Sequence, residues 1–504
     1  MTSQPLKGRK ILVTAYDLEQ SEHRGIAVYS KSLMRSLHEA GAEIWLLTEF
    51  FDKLSEKGLN RLPKSAQAMI RNARILNSLA LGRRERPITI LQRKFKLARK
   101  AKSLSTYFRV LINIIRRPRT YKPRDLNSFR LEDLYDNPYV RIERLDYLEC
   151  VTGIISAPEI FLATQLAAQL PRLRPVRIDL RGFDALITTC PLNIIPRNLP
   201  TFVQTIHDLI PLEYVAHNED PLMFSHRLEA CAPAHRLFVS KSTANKYNAH
   251  IQNTTMLSSL PKIHKGENPR EAVIIQSPSL HFPIWLTEDP QRIADLQPVS
   301  HLLRKDELEA SKSKQKLTPL RYFLFNSSVE ARKNLLFLAK AYAESNLNRK
   351  GIKLCVTGKL KGDDYSKALK EIVAHEPGII LTGYVDESSK LDLYLNALGL
   401  LSPSLVEGFG IPVLDGACLG MPTIASDCES HLEIQNLHDF NEHVLCLDTL
   451  DSREWAAALQ AVAGSNRHLG DQAAQTRRDR IGRYVLFQSK FNKQLQKDLV
   501  AILN

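Results

Sequence analysis

Short apolar runs and amphipathic stretches alternate twice along this chain, with polar sequence between the two series. From Lys10 the run KILVTA is followed by a loop through Gly25, by IAVYSKSLMRSLHEA with apolar positions at helical spacing, by Gly41, and by AEIWLLTE. Strand, helix and strand in that order make a βαβ unit, the building block of a parallel sheet. From about residue 51 to about 137 the pattern turns helical and basic. Short strands return as DALITT (184–189), TFVQTI (201–206) and RLFVS (236–240), so a first doubly wound domain is expected over 1–286.

Residues 287–318 are polar and poor in strand signal, as SKSKQK illustrates, and are expected to connect two domains. The second series reads RYFLFNS, a helix from Ala331, KLCVTG, a helix around Ser366–Ala374, IILTGYV, a helix from Glu387, LGLLSPS, a short helix after Pro412, TIAS and VLCLD. It predicts a second parallel sheet over 319–480. Helical patterns at 452–464 and 474–502 follow, and a closing helix over 481–504 is expected to pack back on the first domain. The fold class is therefore α/β, with two Rossmann-like doubly wound domains facing a cleft and a helical basic insertion, about 51–137, in the first. Ligands of such folds bind outside the C-terminal strand ends, which here border the cleft.

Length and composition narrow the setting. The 504 residues exceed one ordinary core and fit two. Seven cysteines with no C-x-x-C spacing argue against a disulfide framework and against a zinc site, and fit a reducing cytoplasm. The start MTSQPLKGRK is polar and basic, so secretion is not expected. The apolar run LINII at 111–115 is fenced by Arg109 and Arg116 and is too short to cross a bilayer.

The formal net charge of +15 is unevenly spread. Between Arg83 and Arg124 stand fifteen Lys or Arg against the single acid Glu85. Within that segment Leu97, Ala101, Leu104, Phe108, Leu111 and Ile115 recur at helical spacing. Two readings stay open: a helix packed on its own domain with a solvated cationic face, or contact with an anionic membrane surface. No nucleic-acid-binding motif accompanies the charge, and no specific nucleic acid is expected as a partner.

Two elements of the second series carry candidate chemistry. In Glu330-Ala331-Arg332-Lys333-Asn334, after RYFLFNSS, two adjacent cations could pair with phosphate oxygens. In SLVEGFGIPVLD, residues 404–415, the amides of Gly408, Phe409 and Gly410 can approach a ligand closely at a helix start marked by Pro412. A diphosphate could bridge the two elements. Glu407 and Asp415 flank the glycines, where carboxylates would repel phosphate but accept hydrogen bonds from sugar and ribose hydroxyls.

These residues resemble the family-4 retaining glycosyltransferases of GT-B fold, also described as glycosyl transferases group 1. EGFGIPVLD is similar to the family's E-x7-E motif, EARKN to its E-P-R-K-N, and TGYVDESSKLDLYLNALGLLSPS has its order of segments. Gly25 with IAVYSKSL resembles the donor-facing glycine loop, and QTIHDLIP the segment bearing an active-site histidine. The likeness is specific over roughly 319–430, looser over 8–50 and 180–245, and absent over 51–180. It implies that Arg332 and Lys333 bind a donor diphosphate, Glu407 the transferred sugar and Asp415 the ribose, with His207 beside the sugar. It also implies donor-side roles for Gly25, Gly408, Phe409, Gly410, Tyr384 and Val385, with Glu407, His207 and Lys333 as the catalytic set. Three positions depart from the family pattern: Asp415 replaces the second Glu, Asn326-Ser327 replaces a glycine-led turn, and Ala331 replaces proline.

The function implied is transfer of a sugar, with retained configuration, from a nucleotide-sugar donor to a glycan or lipid-linked acceptor in cell-surface polysaccharide synthesis. No cofactor and no metal are expected, because no D-x-D pair is present and the cations can stabilise the leaving diphosphate. The alternatives are a nucleotide-sugar hydrolase or epimerase of the same fold, and a noncatalytic protein binding polyanions or membranes. The expected location is cytoplasmic, on the inner membrane face if the basic segment docks there.

Overall fold

The computed structural model of the chain describes residues 4–19, 25–49, 59–81, 96–116, 119–131, 143–170, 175–214, 219–252, 268–282, 302–303, 316–438, 440–465 and 473–504. Two large sheets dominate it. From edge to edge the first runs Glu271–Val273, His235–Phe238, Thr201–Ile206, Ala185–Thr188, Lys10–Thr14, Glu43–Thr48, Gly153–Ser156 and Asn127–Arg130. All neighbours are parallel except Asn127–Arg130, which pairs antiparallel with Gly153–Ser156. The second sheet is wholly parallel, in the order Ile379–Gly383, Lys353–Thr357, Tyr322–Asn326, Gly399–Ser402, Thr423–Ser426 and Val444–Leu447. A small parallel sheet of Thr120–Tyr121, Val176–Asp179 and Ile194–Arg197 lies beside the first.

Alternation along the strands explains why each sheet is covered on both faces. In Tyr322–Asn326, Tyr322 and Leu324 enter one core cluster while Phe323 and Phe325 enter another. In Lys10–Thr14, Ile11 and Val13 point one way and Leu12 the other. Successive side chains of a strand leave opposite faces, so runs that are apolar throughout require helices on both sides. The largest cluster joins the two sheets: Ile11 and Leu33 share it with Leu400 and with Tyr484 of the helix Ala473–Leu503. That helix buries Ile481, Tyr484, Phe487, Phe491, Leu495, Leu499 and Ile502 at spacings of three and four and runs unbroken through 480 and 481. Its end reaches the first domain, where Arg9 Nη1 donates to the Leu503 carbonyl at 2.8 Å.

Two expectations change in detail. The stretch 51–137 contains the helices Lys64–Leu81 and Lys96–Arg116, but also the strands Thr120–Tyr121 and Asn127–Arg130, where Pro118 and Pro123 interrupt the helical pattern of the sequence. The helix expected from Ala331 starts at Leu335; Ala331–Lys333 is a separate 3-10 turn, closed by Asn334 in the left-handed region at φ 56°. The connection expected over 287–318 lies outside the described residues, apart from 302–303 and 316–318.

Candidate active site at the facing sheet edges

The strand Tyr322–Asn326 runs into the turn that carries Arg332 and Lys333, and the strand Gly399–Ser402 into the loop that carries Glu407. Leu405 N donates to the Arg332 carbonyl at 2.8 Å, which ties the two loops together. Lys333 is 5% exposed, and its ammonium pairs directly with Glu407. Arg332 Nη1 lies 3.3 Å from the second Glu407 oxygen, while its Nε faces Glu330 at 3.1 Å. Glu330 in turn holds Lys361 at 2.7 Å.

The electrostatics follow from two cations meeting one acid. Burial pushes the Glu407 carboxyl up, but Lys333 and Arg332 outweigh burial and hold its pKa at about 2. Burial lowers the Lys333 ammonium, and Glu407, shared with Arg332, recovers only part of that. The cluster therefore keeps its acid ionised while leaving positive charge incompletely neutralised, which suits a dianionic ligand.

Glycine is required where the loop meets the first domain. A Cβ on Gly408 would stand 2.3 Å from the His207 carbonyl oxygen and 2.8 Å from the Asp208 Cβ. The Gly408 carbonyl accepts from Ser240 Oγ at 2.8 Å, and Thr243 Oγ1 bridges to the His207 carbonyl at 3.2 Å. Gly410 has φ +103° at the start of the helix Ile411–Cys418, and a Cβ there would meet His431 at 2.8 Å. Among the described residues, the amides of Gly408, Phe409 and Gly410 donate to no backbone carbonyl. Phe409 is 5% exposed and its side chain belongs to the core, so the ring does not line an open site.

The first sheet contributes the opposite wall. His207 follows Thr201–Ile206, is 8% exposed, and its Nε2 lies 2.7 Å from the Thr189 carbonyl. A carbonyl only accepts, so the proton sits on Nε2 and Nδ1 is left as the acceptor nitrogen. Burial lowers the imidazole pKa to about 4, so His207 is neutral at neutral pH. The Tyr29 ring meets it edge-on, 5.1 Å between centroids. Gly25 opens the helix Gly25–Glu39, and a Cβ there would come 3.2 Å from Ile411 Cδ1. The structure thus brings Gly25, His207, Arg332, Lys333, Glu407, Gly408 and Gly410 to one place.

Asp415 is bonded within the protein. It is 1% exposed, and its carboxylate accepts from Ser279 N at 2.7 Å, Ser279 Oγ at 2.6 Å and Tyr484 OH at 2.8 Å. With three donors engaged, Asp415 clasps the stretch 268–282 to the last helix. Tyr384 and Val385 follow the edge strand Ile379–Gly383. Tyr384 is 71% exposed and Val385 packs against the core.

Sequence reasoning missed His431, fully buried under the glycine loop with its Nδ1 3.0 Å from Ser426 Oγ. Burial lowers its pKa, but Cys428 and Glu407 outweigh that and raise it. No periodicity or spacing in SDCESH marks it. The hydroxyl pair Ser240 and Thr243 was equally silent, since serine and threonine at a helix start ordinarily read as caps.

Comparison with known proteins finds a family likeness over the second sheet. Residues 306–478 match the family described as "Glycosyl transferases group 1". The O-antigen chain mannosyltransferase B of Escherichia coli is 30% identical over 115 residues, which is 22% of this chain and 30% of that protein. The structure of S. aureus TarM in complex with Fondaparinux, α-GlcNAc-glycerol and UDP aligns with a TM-score of 0.50 at 10% identity, over 98% of this chain and 100% of TarM. Anabaena Alr3699/HepE in complex with UDP aligns with a TM-score of 0.49 at 12% identity, over 98% of this chain and 100% of that one. The chain thus has the GT-B fold, and its residues 306–478 are similar to the glycosyl transferases group 1.

Proposed function

We propose that this protein is a family-4 type retaining glycosyltransferase that moves a sugar from a nucleotide-sugar donor to a glycan or lipid-linked acceptor. The observation that carries the reading is the buried Lys333–Glu407–Arg332 cluster, set on a glycine loop that presses against His207 of the facing domain. The donor diphosphate replaces Glu407 as the partner of the two cations, which frees the carboxylate to accept hydrogen bonds from the sugar. In the transfer step the bond from the anomeric carbon to the diphosphate oxygen breaks and the bond to the acceptor oxygen forms on the same face. The acceptor proton passes to the departing diphosphate. Lys333 and Arg332 stabilise the charge that develops there, so the reaction needs no metal.

Neutral His207 supplies an acceptor nitrogen beside the sugar. The E. coli relative, by name an O-antigen chain mannosyltransferase, supports a surface-polysaccharide acceptor. A panel of UDP-, GDP-, ADP- and TDP-sugars in a thermal-shift assay tests the donor. At about 100 times its dissociation constant the correct donor adds about 2.7 kcal/mol of stability. No shift with any donor would count against the reading, and product analysis with and without acceptor separates transfer from hydrolysis.

A further inference from the structure

The helix Lys96–Arg116 has two apolar faces. Val110 and Ile114 are fully buried, in a core cluster shared with Ile160, Phe161 and Ala163 of the helix Ile160–Ala168. Tyr107 OH adds a bond to Gln169 at 3.2 Å, and Arg109 pairs with Glu159. These contacts fix the helix on its domain. On another side Leu104 and Phe108 are each 53% exposed, Ile112 45% and Ile115 50%. At 100° per residue these four fall within an arc of roughly 80°, with Arg109 and Arg116 beyond one edge of it. Leu111, in the sequence reading part of a single stripe, belongs with the buried set. The solvent side of the helix therefore carries an apolar arc beside its exposed cations Arg109 and Arg116.

We propose that this face docks on an anionic lipid bilayer. The helix carries six cations, Lys96, Arg99, Lys100, Lys102, Arg109 and Arg116, and no acid. A stripe of Leu, Phe and Ile within a cationic helix matches an interface in which acyl chains receive the apolar arc and phosphates the charges. Protein interfaces, by contrast, are depleted of lysine at their centres. No helix among the described residues is long and apolar enough to cross a membrane, so the contact lies in the plane of the bilayer surface. Glu159, the partner of Arg109 and Arg119, follows the strand Gly153–Ser156. Docking through this helix thus sets the C-terminal edge of the first sheet, the edge that bears His207, next to the lipid.

Vesicle flotation of the full chain, without donor or acceptor, tests the docking independently of the transfer reaction. Phosphatidylcholine vesicles with and without phosphatidylglycerol are compared for wild type, for Phe108→Ser with Ile112→Ser, and for Lys96, Arg99, Lys100 and Lys102 all changed to Gln. Wild type binds only the anionic vesicles and is released by salt, and each variant partitions about tenfold or more weakly at unchanged melting temperature. If the paired variant lowers the melting temperature, Leu104→Ser takes its place. Wild type that binds neither vesicle, or both equally, overturns the proposal, as do variants that bind like wild type. A lipid-free dimer that Phe108→Ser dissociates overturns it too, because the face would then belong to a second copy.

Discussion

Glu407 meets two cations in a buried place, and that stoichiometry sets its chemistry. A carboxyl whose folded pKa is depressed contributes stability above its unfolded pKa and loses it as pH falls through the folded value. Here the window runs from the ordinary 4.5 down to about 2. The unfolding free energy of wild type relative to Glu407→Gln is therefore expected, once His431, whose pKa Glu407 helps to raise, is protonated, to hold steady down to about 4.5 and to shrink below it, in denaturant titrations at a series of pH values. A difference that stays flat through that window would show that the cluster does not hold Glu407 ionised. Neutral His207 works in the same direction over a higher window. Burial disfavours its charged form, so stability is unaffected above about 6.5 and declines as pH falls towards about 4. The Glu407→Gln comparison cancels this background, because both proteins keep His207.

Elements place these residues, and at this scale the sequence was readable in some parts and not in others. The strands of the second sheet were legible because each is apolar throughout and bounded by turn residues, as RYFLFNS and LGLLSPS are. The strand Asn127–Arg130 was not, because an edge strand with pattern NSFR buries little and carries no alternation to detect. Arg332, Lys333 and Glu407 could be singled out because charge beside glycine at a strand end has few structural explanations. Asp415 could be singled out but its partners could not: Ser279 lies 136 residues away and Tyr484 69, and no local pattern announces a clasp at that separation. Burial raises the Asp415 carboxyl despite these bonds, so the clasp is a strained acceptor that depends on its donors. Asp415→Asn, which offers an amide to groups that already donate, is expected to lower stability by about 1–3 kcal/mol while leaving nucleoside-diphosphate affinity unchanged. Chemical denaturation and calorimetry on the same preparation check both halves. Unchanged stability with weakened diphosphate binding would return Asp415 to the ribose.

In the whole molecule, the two sheets converge through contacts concentrated around the glycine loop. Glu433 accepts from the amides of Lys241 and Ser242, with Lys241 N at 2.9 Å from both carboxylate oxygens, at the start of the helix Lys241–Gln252. Lys246 pairs with Glu429 at 3.2 Å, and the Gly408 carbonyl receives Ser240. These ties press the loop of the second domain onto the segment bearing His207, and the last helix binds both domains into one core. The central claim is that this convergence builds a diphosphate site whose charge comes from Lys333 and Arg332. The most direct test is calorimetric titration, in the presence of a chelator, of the nucleoside diphosphate of the preferred donor into wild type and Lys333→Ala, each first shown to be folded. The account predicts metal-independent binding to wild type and a loss of about tenfold or more in Lys333→Ala, the size of a lost charge-assisted hydrogen bond. Equal affinity for the two proteins, or binding that vanishes with the chelator, would contradict it.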